Sequence, residues 1–545
     1  MSRSPGGNYI GAAIAHFAVT ALSIGAVWWW LGAPIRLPPS PLADGGKVYC
    51  VSYAPFRDDQ DPLVETTHVD AQQIDEDLTL LSRYTNCVRT YSIENGQDQI
   101  AAIAQRHGMK VLQGIWLSNN AERNRRQIST VVALAKKYPD AISAIVVGNE
   151  VLLRGDLSVT DLESLIREVK AQVAQPVTYA DVWEYWLRYS DLANAVDFVT
   201  IHILPYWEDF PLPASLAAAH VDAIRKRVAD AIPNKEIVIG EFGWPSEGRM
   251  REAALPSPSN QARVIEETLA LAQRENFRAN VIEAFDQPWK RQLEGATGGY
   301  WGIFDRAGQA PKFSFTGIVS DHPHWRMQAV AGILLAAIVF ACAGMAGRGK
   351  DRPPLLWLRI ASMTFLPAVL FGWAIERVPI DGFTAGGRLR LLAFAITAAA
   401  APIACAAACA AGRGLPTFGA VLSRSAKPQD AISLAVGLSL IALTVLSVQG
   451  AIGLVFDPRY RDLPFAPQSA AVVPFLMLMF AAPRQSEVGT GGARAMAEIV
   501  AAIVLALSAG YIAFNESFAN WQAIWLCAGF LGLAVILSRA RDAPG

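Results

Sequence analysis

The chain reads as α/β, a (β/α)8 TIM barrel held between an N-terminal transmembrane anchor and a C-terminal all-α, multi-span membrane domain. Three observations predict this. Eight short apolar segments alternate with amphipathic helical stretches across about 270 residues, from Lys47 onward. Beyond about residue 328 the chain turns Ala/Leu/Ile/Val-rich with sparse charge, as membrane spans are. An apolar run at 9–31 is long enough to cross a bilayer and closes on Trp28, Trp29 and Trp30, as an interfacial aromatic belt does.

Taken in order, 1–32 is a cytoplasmic tip with the anchor. A cleaved signal peptide is the alternative, but the run is long and no small-x-small site follows it directly. Residues 33–46 carry four prolines and form a linker. Residues 47–325 hold the barrel strands at 48–56, 86–92, 110–118, 142–150, 176–183, 196–207, 236–245 and 280–289. Helical stretches lie between them, such as 69–84 with Ile74, Leu78 and Leu81 on one side, and 122–138 with Val131, Leu134 and Ala135. A doubly wound open sheet would also alternate in this way, but no Gly-rich phosphate loop follows the first strand. Residues 326–545 then supply seven apolar segments, at 329–346, 355–375, 389–411, 431–455, 469–482, 496–514 and 521–537, the fifth being short.

The net charge of −1 gives no electrostatic case for a nucleic-acid partner. Arg348, Lys350, Arg352, Arg413, Arg424, Lys427, Arg484, Arg494, Arg539 and Arg541 all fall on one side of the expected membrane map. The positive-inside rule puts that side in the cytoplasm and the barrel outside it. The expected location is a bacterial inner membrane, with the barrel in the periplasm. Six cysteines are too few for a disulfide framework. Cys342, Cys405, Cys409 and Cys527 lie in apolar stretches as packing residues. Cys50 and Cys87 fall on neighbouring strands and could pair outside the cytoplasm, although bridges between adjacent strands are usually strained.

On a TIM barrel, functional residues sit at the C-terminal ends of the strands. Those ends carry Tyr53 and Phe56, Arg89 and Tyr91, Trp116, Asn149 and Glu150, Asp181 and Trp183, His202, Tyr206 and Trp207, Glu241 and Trp244, then Asp286 and Trp289. This is an aromatic mouth with two outstanding carboxylates. Sugar rings stack their apolar faces on aromatics and need polar partners at the rim. Glu150 ends the fourth strand and Glu241 the seventh, so both face one cleft from opposing sides. Two carboxylates across a sugar cleft are the machinery of glycosidic cleavage: one protonates the leaving oxygen and the other attacks the anomeric carbon. Either Glu alone reads equally as a cap or an ion-pair partner. Arg89 would hold a carboxylate ionised, and Asn149 would bond the sugar's 2-hydroxyl. His202 reads equally as a structural histidine, and Asp181 and Asp286 as capping or supporting groups. No cofactor is implied. No metal is implied either, since carboxylates suffice and the sequence offers no ligand cluster.

The stretch Ile237-Val-Ile-Gly-Glu-Phe-Gly-Trp-Pro-Ser246 closely resembles the nucleophile signature of glycoside hydrolase family 17, the β-1,3-glucanases. Val147-Gly-Asn-Glu150 looks like its acid/base motif. Ser52-Tyr-Ala-Pro55, Val88-Arg-Thr-Tyr91, Glu283-Ala-Phe-Asp-Gln-Pro-Trp-Lys290 and Tyr300-Trp-Gly-Ile-Phe304 match in order, so the resemblance covers about residues 47–318. It implies a retaining barrel enzyme with Glu150 as acid/base and Glu241 as nucleophile. It further implies a β-1,3-glucan substrate, contacted by Tyr53, Arg89, Tyr91, Trp116, Asn149, Trp183, Tyr206, Trp207, Trp244, Asp286 and Trp289. Two positions depart from the pattern: Phe242 replaces a small residue, and Gln287 stands where relatives carry an acid. The layout of anchor, barrel and multi-span tail resembles bacterial membrane members linked to periplasmic β-1,3/β-1,6-glucan synthesis, some of them transglucosylases. The expected partners are the glucan, the bilayer and a glucan synthase in the same membrane. Competing readings are a plain β-1,3-glucanase, a glucan-binding or glucan-export membrane protein, and an inactive sugar sensor.

Overall fold

The computed structural model describes residues 5–37, 40–42, 45–57, 60–305, 311–313, 317–348, 355–422, 430–481 and 495–539. Lys350, Arg352, Arg424, Lys427, Arg484, Arg494 and Arg541, used above for orientation, lie outside them. The chain divides into two compact units, Pro34–Ser320 and a second made of Met1–Ala33 with Asp321–Gly545.

The first unit is a closed barrel of eight parallel strands. They are β1 (Cys50–Ser52), β2 (Cys87–Arg89), β3 (Lys110–Ile115), β4 (Ile142–Asn149), β5 (Val177–Val182), β6 (Val199–His202), β7 (Ile237–Phe242) and β8 (Ala279–Val281). Pairs such as Val51 with Val88, and Val51 with Val281, fix the register and close the ring. The strands are shorter than the apolar segments that predict them. Ladder bonds end where the chain leaves the ring, and the residues beyond become the mouth. Register shifts fall late in the pairs β4–β5, β6–β7 and β7–β8, near the residues of the mouth. Such irregularities re-aim side chains.

The outer helices start where sequence chemistry says they should. Asp70 accepts the Gln73 N–H at 2.8 Å and opens Ala71–Leu81, which buries Ile74, Leu78 and Leu81. Asn120 caps Ala121–Lys137, which buries Val131 and Ala135 but leaves Leu134 half-exposed. Ser257 caps Pro258–Glu275 with proline in the first turn, and Asn276 in the left-handed region stops it. Each large apolar side chain buried this way contributes about 2 kcal/mol against the entropy of ordering it. The half-buried pattern of the helices follows from packing one face on the ring.

Cys50 and Cys87 are joined, S–S 2.08 Å, inside the ring on β1 and β2. They lie beside Leu112, Val146 and Val238 in an apolar layer. Side chains alternate along a strand, so Ser52 and Arg89 share the face of the two cysteines, one step nearer the mouth.

The second unit is all-α. Among the described residues, seven helices are long and apolar enough to cross a membrane, including Trp325–Ala346, Leu356–Asp381 and Ala385–Ala411. The eighth apolar helix, Phe465–Ala481, has 17 described residues, about 26 Å at 1.5 Å per residue. It is the segment expected to be short. Helices in this unit approach closely: a Cβ on Gly332 would lie 2.5 Å from the Ala368 carbonyl, the small-residue contact by which membrane helices pack.

Candidate active site

Four strands deliver the centre. β2 ends on Arg89 and runs on to Tyr91, β4 ends on Asn149 just before Glu150, β6 ends on His202, and β7 carries Glu241. Gly240 makes room for this. A Cβ there would meet Thr200 Cγ2 at 2.4 Å and His202 Cδ2 at 3.1 Å. His202 can therefore lie against the strand that bears Glu241.

Glu241 is 5% exposed and is held from three sides. Arg89 Nη1 donates to its Oε1 at 2.7 Å and to the Gly240 carbonyl at 2.9 Å. Tyr91 Oη lies 2.7 Å from the same Oε1 and 2.9 Å from Ser52 Oγ. A phenol has one proton and a carboxylate only accepts, so Tyr91 donates to Glu241. The Asn280 amide in turn donates to Ser52 at 2.8 Å. Arg89 Nη2 donates to Asn149 Oδ1 at 2.6 Å and meets His202 Nε2 at 3.2 Å. His202 Nδ1 lies 2.7 Å from Glu150 Oε1, and its Nε2 lies 3.6 Å from Glu241 Oε1. Arginine only donates, so in the neutral imidazole Nε2 accepts and Nδ1 donates to Glu150. One histidine thus bridges the two glutamates.

Burial would raise the Glu241 carboxyl. Electrostatic attraction from His202, then the charge of Arg89, the Tyr91 hydrogen bond and the charge of Lys290 outweigh it, and Glu241 sits below the usual glutamate range. Burial and the neighbouring Glu241 push Tyr91 well above the ordinary phenol value, so it stays a donor. Lys290 pairs with buried Glu283 at 2.9 Å. Burial drives Glu283 up to about 7, with Lys290 opposing. Glu294 is also raised, by burial first, with Lys290 opposing and the charges of Glu150 and Glu241 adding to the rise.

Among the described residues, Glu150, His202 and Glu241 form a group whose ligand-type atoms lie within 4.8 Å of one another. The sequence offers no such cluster, because the three residues sit on different strands. The Arg89 guanidinium touches Glu241 and His202 and occupies the place of the positive charge, which disfavours a cation there.

The other residues expected at the mouth divide. Tyr53 is fully buried and donates to Asp77 at 2.8 Å. Tyr206 and Trp244 are fully buried in a cluster with Trp301. Trp207 stacks on Trp301 at 6.5 Å and is half-buried. Asp286 is buried, accepting from Lys312 at 2.6 Å and from the Gly302 N–H at 3.0 Å, and burial pushes it up to about 6. Trp116 is half-buried under the Arg154 guanidinium, 4.3 Å from its ring centre. Trp183 is half-buried and donates to Glu208. Trp289 is half-buried and donates to Gln287 Oε1 at 2.8 Å. Gln287 also donates to the Ala54 carbonyl at 2.9 Å, so this amide orients a tryptophan. Phe242 is fully buried in the core.

Arg89, Tyr91 and Asn149 therefore join Glu150 and Glu241 in one centre, while Tyr53, Tyr206, Trp244 and Asp286 stand behind the mouth. His202, Ser52, Lys290, Glu283 and Glu294 complete the surroundings, and of these only Glu294 has no signal in the sequence reading. His202 had a signal in its strand-end position. Lys290 and Glu283 had one in the motif that contains them.

Comparison with known proteins finds similarity over the barrel. Residues 50–302 match the BtgE/BtgC glycoside hydrolase domain. The chain is 28% identical over 267 residues to a glucan 1,3-beta-glucosidase of Arthroderma benhamiae, covering 45% of this chain and 84% of that protein. It is 28% identical over 234 residues to a glucan 1,3-beta-glucosidase of Schizosaccharomyces pombe, covering 39% and 72%. A glycoside hydrolase family 17 beta-1,3-glucanosyltransferase from Rhizomucor miehei aligns at 23% identity and a TM-score of 0.44, over 50% of this chain and 98% of that one. The match over residues 50–302 is to the BtgE/BtgC glycoside hydrolase domain, and it spans the barrel strands.

Proposed function

We propose that this chain is a membrane-anchored retaining enzyme that cleaves β-1,3-glucan and transfers the released segment to another glucan. The observation that carries the reading is the pairing of Glu150 and Glu241, whose nearest oxygens with His202 lie within 4.8 Å. Retaining glycosidases hold their carboxyl groups about 5–5.5 Å apart, and inverting ones about 6.5–9.5 Å. The relatives' activity on 1,3-β-glucan supports the substrate class.

In the first step Glu241 attacks the anomeric carbon and forms a bond to it. The bond from that carbon to the glycosidic oxygen breaks, and Glu150 gives its proton to the departing oxygen. Arg89 and Tyr91 keep Glu241 ionised until then. In the second step Glu150 takes a proton from an incoming hydroxyl, whose oxygen displaces Glu241 from the carbon. If the hydroxyl is a sugar's, the product is a longer or branched glucan; if it is water's, the reaction is hydrolysis. Asn149, oriented by Arg89, faces the 2-hydroxyl. Trp116, Trp183, Trp207 and Trp289, all half-buried, supply stacking faces, and transfer requires that an acceptor held there outcompete water.

The apolar helices support a multi-pass membrane protein. The Cys50–Cys87 bond favours an oxidising compartment for the barrel. With the basic loops on one side, this supports a bacterial inner-membrane enzyme facing the periplasm. There it would remodel glucan, forming β-1,6 branches beside the synthase that makes the chain.

The test is to incubate the full chain in detergent with linear β-1,3-gluco-oligosaccharides. The expected products include sugars longer than the substrate or with a new linkage. Release of shorter sugars alone would leave a hydrolase, a reading favoured by the names of the relatives. Glu241→Ala is expected to abolish both outcomes; unchanged activity would refute the nucleophile assignment.

A further inference from the structure

Glu150 holds a backbone conformation that side chains other than glycine's rarely adopt, with φ +52° and ψ +35°. Such a residue costs about 1 kcal/mol or more and persists only where its surroundings over-determine it. The surroundings come largely from β5. The N–H of Glu150 donates to the Ala180 carbonyl at 2.8 Å. The N–H of Leu152, two residues on, faces Tyr179 Oη at 3.0 Å and Asp181 Oδ2 at 3.3 Å. Tyr179 donates its hydroxyl to that same Oδ2. Asp181 Oδ1 accepts the Val182 N–H at 2.8 Å. Tyr179 and Asp181 are 1% and 0% exposed, and two apart on the strand they share a face. On the other side of the turn, Arg154 donates to the Asn149 carbonyl and, at 2.7 Å, to the Leu117 carbonyl.

A fully buried aspartate is costly unless its acceptors are used. Here Oδ2 is used on Tyr179 and on the Leu152 N–H of the turn that carries Glu150, and Oδ1 on its own strand, while His202 engages the Glu150 carboxyl itself. Aim at the glycosidic oxygen is then set from two directions, by strand β5 through the main chain and by β6 through the side chain.

We propose that Asp181, acting with Tyr179, is a positioning residue that locks the turn after β4 and thereby aims the Glu150 carboxyl. The proposal rests on the acid/base reading of Glu150. It explains why a carboxylate with no route to substrate is buried two residues from the mouth. Burial pushes Asp181 up to about 6, which leaves it ionised at neutral pH and able to accept on both oxygens.

The experiment compares two substrates on the full chain in detergent. A β-1,3-gluco-oligosaccharide has a poor leaving group and needs a proton from Glu150. A 2,4-dinitrophenyl β-laminaribioside releases a stable phenolate and needs none. Asp181→Asn is expected to lower kcat/KM on the oligosaccharide by about 10²-fold, in the range of a misplaced general acid. On the dinitrophenyl substrate the loss is expected to stay within about threefold. On the dinitrophenyl substrate, where breakdown of the glucosyl-enzyme is the step that needs Glu150, azide attacks that intermediate without giving up a proton, so it should raise kcat and yield the glycosyl azide. Tyr179→Phe should give the same pattern more weakly, and it carries the test alone if Asp181→Asn does not fold. An equal loss on both substrates, or no loss on either, overturns the proposal. Glu150→Ala is the control. If it lacks the leaving-group dependence and the azide rescue, the acid/base reading itself fails, whatever Asp181 does.

Discussion

Arg89 is the residue on which the centre depends most. Its guanidinium donates to Glu241, Gly240, Asn149 and His202 at once, each from a different point of a rigid fork. Lysine carries the same charge on one flexible point and cannot span them. Arg89→Lys is therefore expected to lower kcat by about 10²–10³-fold, the loss seen when one fixed donor is removed from a charged centre, with a smaller change in KM. Tyr91→Phe tests the sign of the Glu241 shift. The Tyr91 bond helps hold Glu241 below its usual range. Without it the carboxyl protonates at higher pH, so the acid limb of kcat/KM should move upward in pH. A limb that stays in place would mean that Tyr91 does not tune Glu241.

Single elements carry their own consequences. In the helix Pro258–Glu275, Glu266 is 1% exposed and neither carboxyl oxygen has a hydrogen-bond partner among the described residues. Burial, helped by Glu267, pushes it from 4.5 up to about 7. A carboxyl raised in the folded state takes up protons that the unfolded state has already released. Its contribution is therefore intact below about pH 4.5 and is lost as pH rises to about 7. The loss is at most about 3 kcal/mol. Glu266→Gln should raise the thermal midpoint at pH 8, leave it little changed at pH 4, and flatten the slope between. Unfolding scans at three pH values would show this. At β1 and β2 the Cys50–Cys87 bridge spans 37 positions. Loop-entropy arguments value such a link at about 3–4 kcal/mol. Cys50→Ala with Cys87→Ala should lower stability by that order, and, because Ser52 and Arg89 lie one step nearer the mouth on the same strands, should lower kcat as well. Elements were also what the sequence made most legible. The eight alternating segments gave the barrel because strand and helix periods differ, and Asp70, Asn120 and Ser257 marked helix starts. Strand ends were less legible, because a ladder stops where its partner diverges, and the partner is distant in sequence.

At the scale of the whole chain, the eight-stranded barrel interrupts the apolar helices in sequence: among the described residues one precedes it and the others follow. The orientation proposed for them has a direct check. Alkaline phosphatase fused after residue 320 should be active, and a green fluorescent protein fused after residue 348 should fluoresce, if the barrel lies outside the cytoplasm. The reverse pattern would place it inside. Arg377 with Asp381 at the end of Leu356–Asp381, and His322 with Glu376 at 3.1 Å, put paired charges near one end of that bundle, as expected of residues at a membrane border.

Sequence by itself determined the class of fold, the two glutamates and the apolar helices, because each is written locally: a period, a strand-end carboxylate, a long run without charge. Only the tertiary structure decided which neighbours those glutamates have. His202, Ser52, Asn280 and the Tyr179–Asp181 pair come from four other strands, and closing the ring is what brings them to Glu150 and Glu241. The same closure sent Tyr53, Tyr206 and Trp244 into the core. An aromatic at a strand end can point to the mouth or away from it, and packing against neighbours distant in sequence sets the direction.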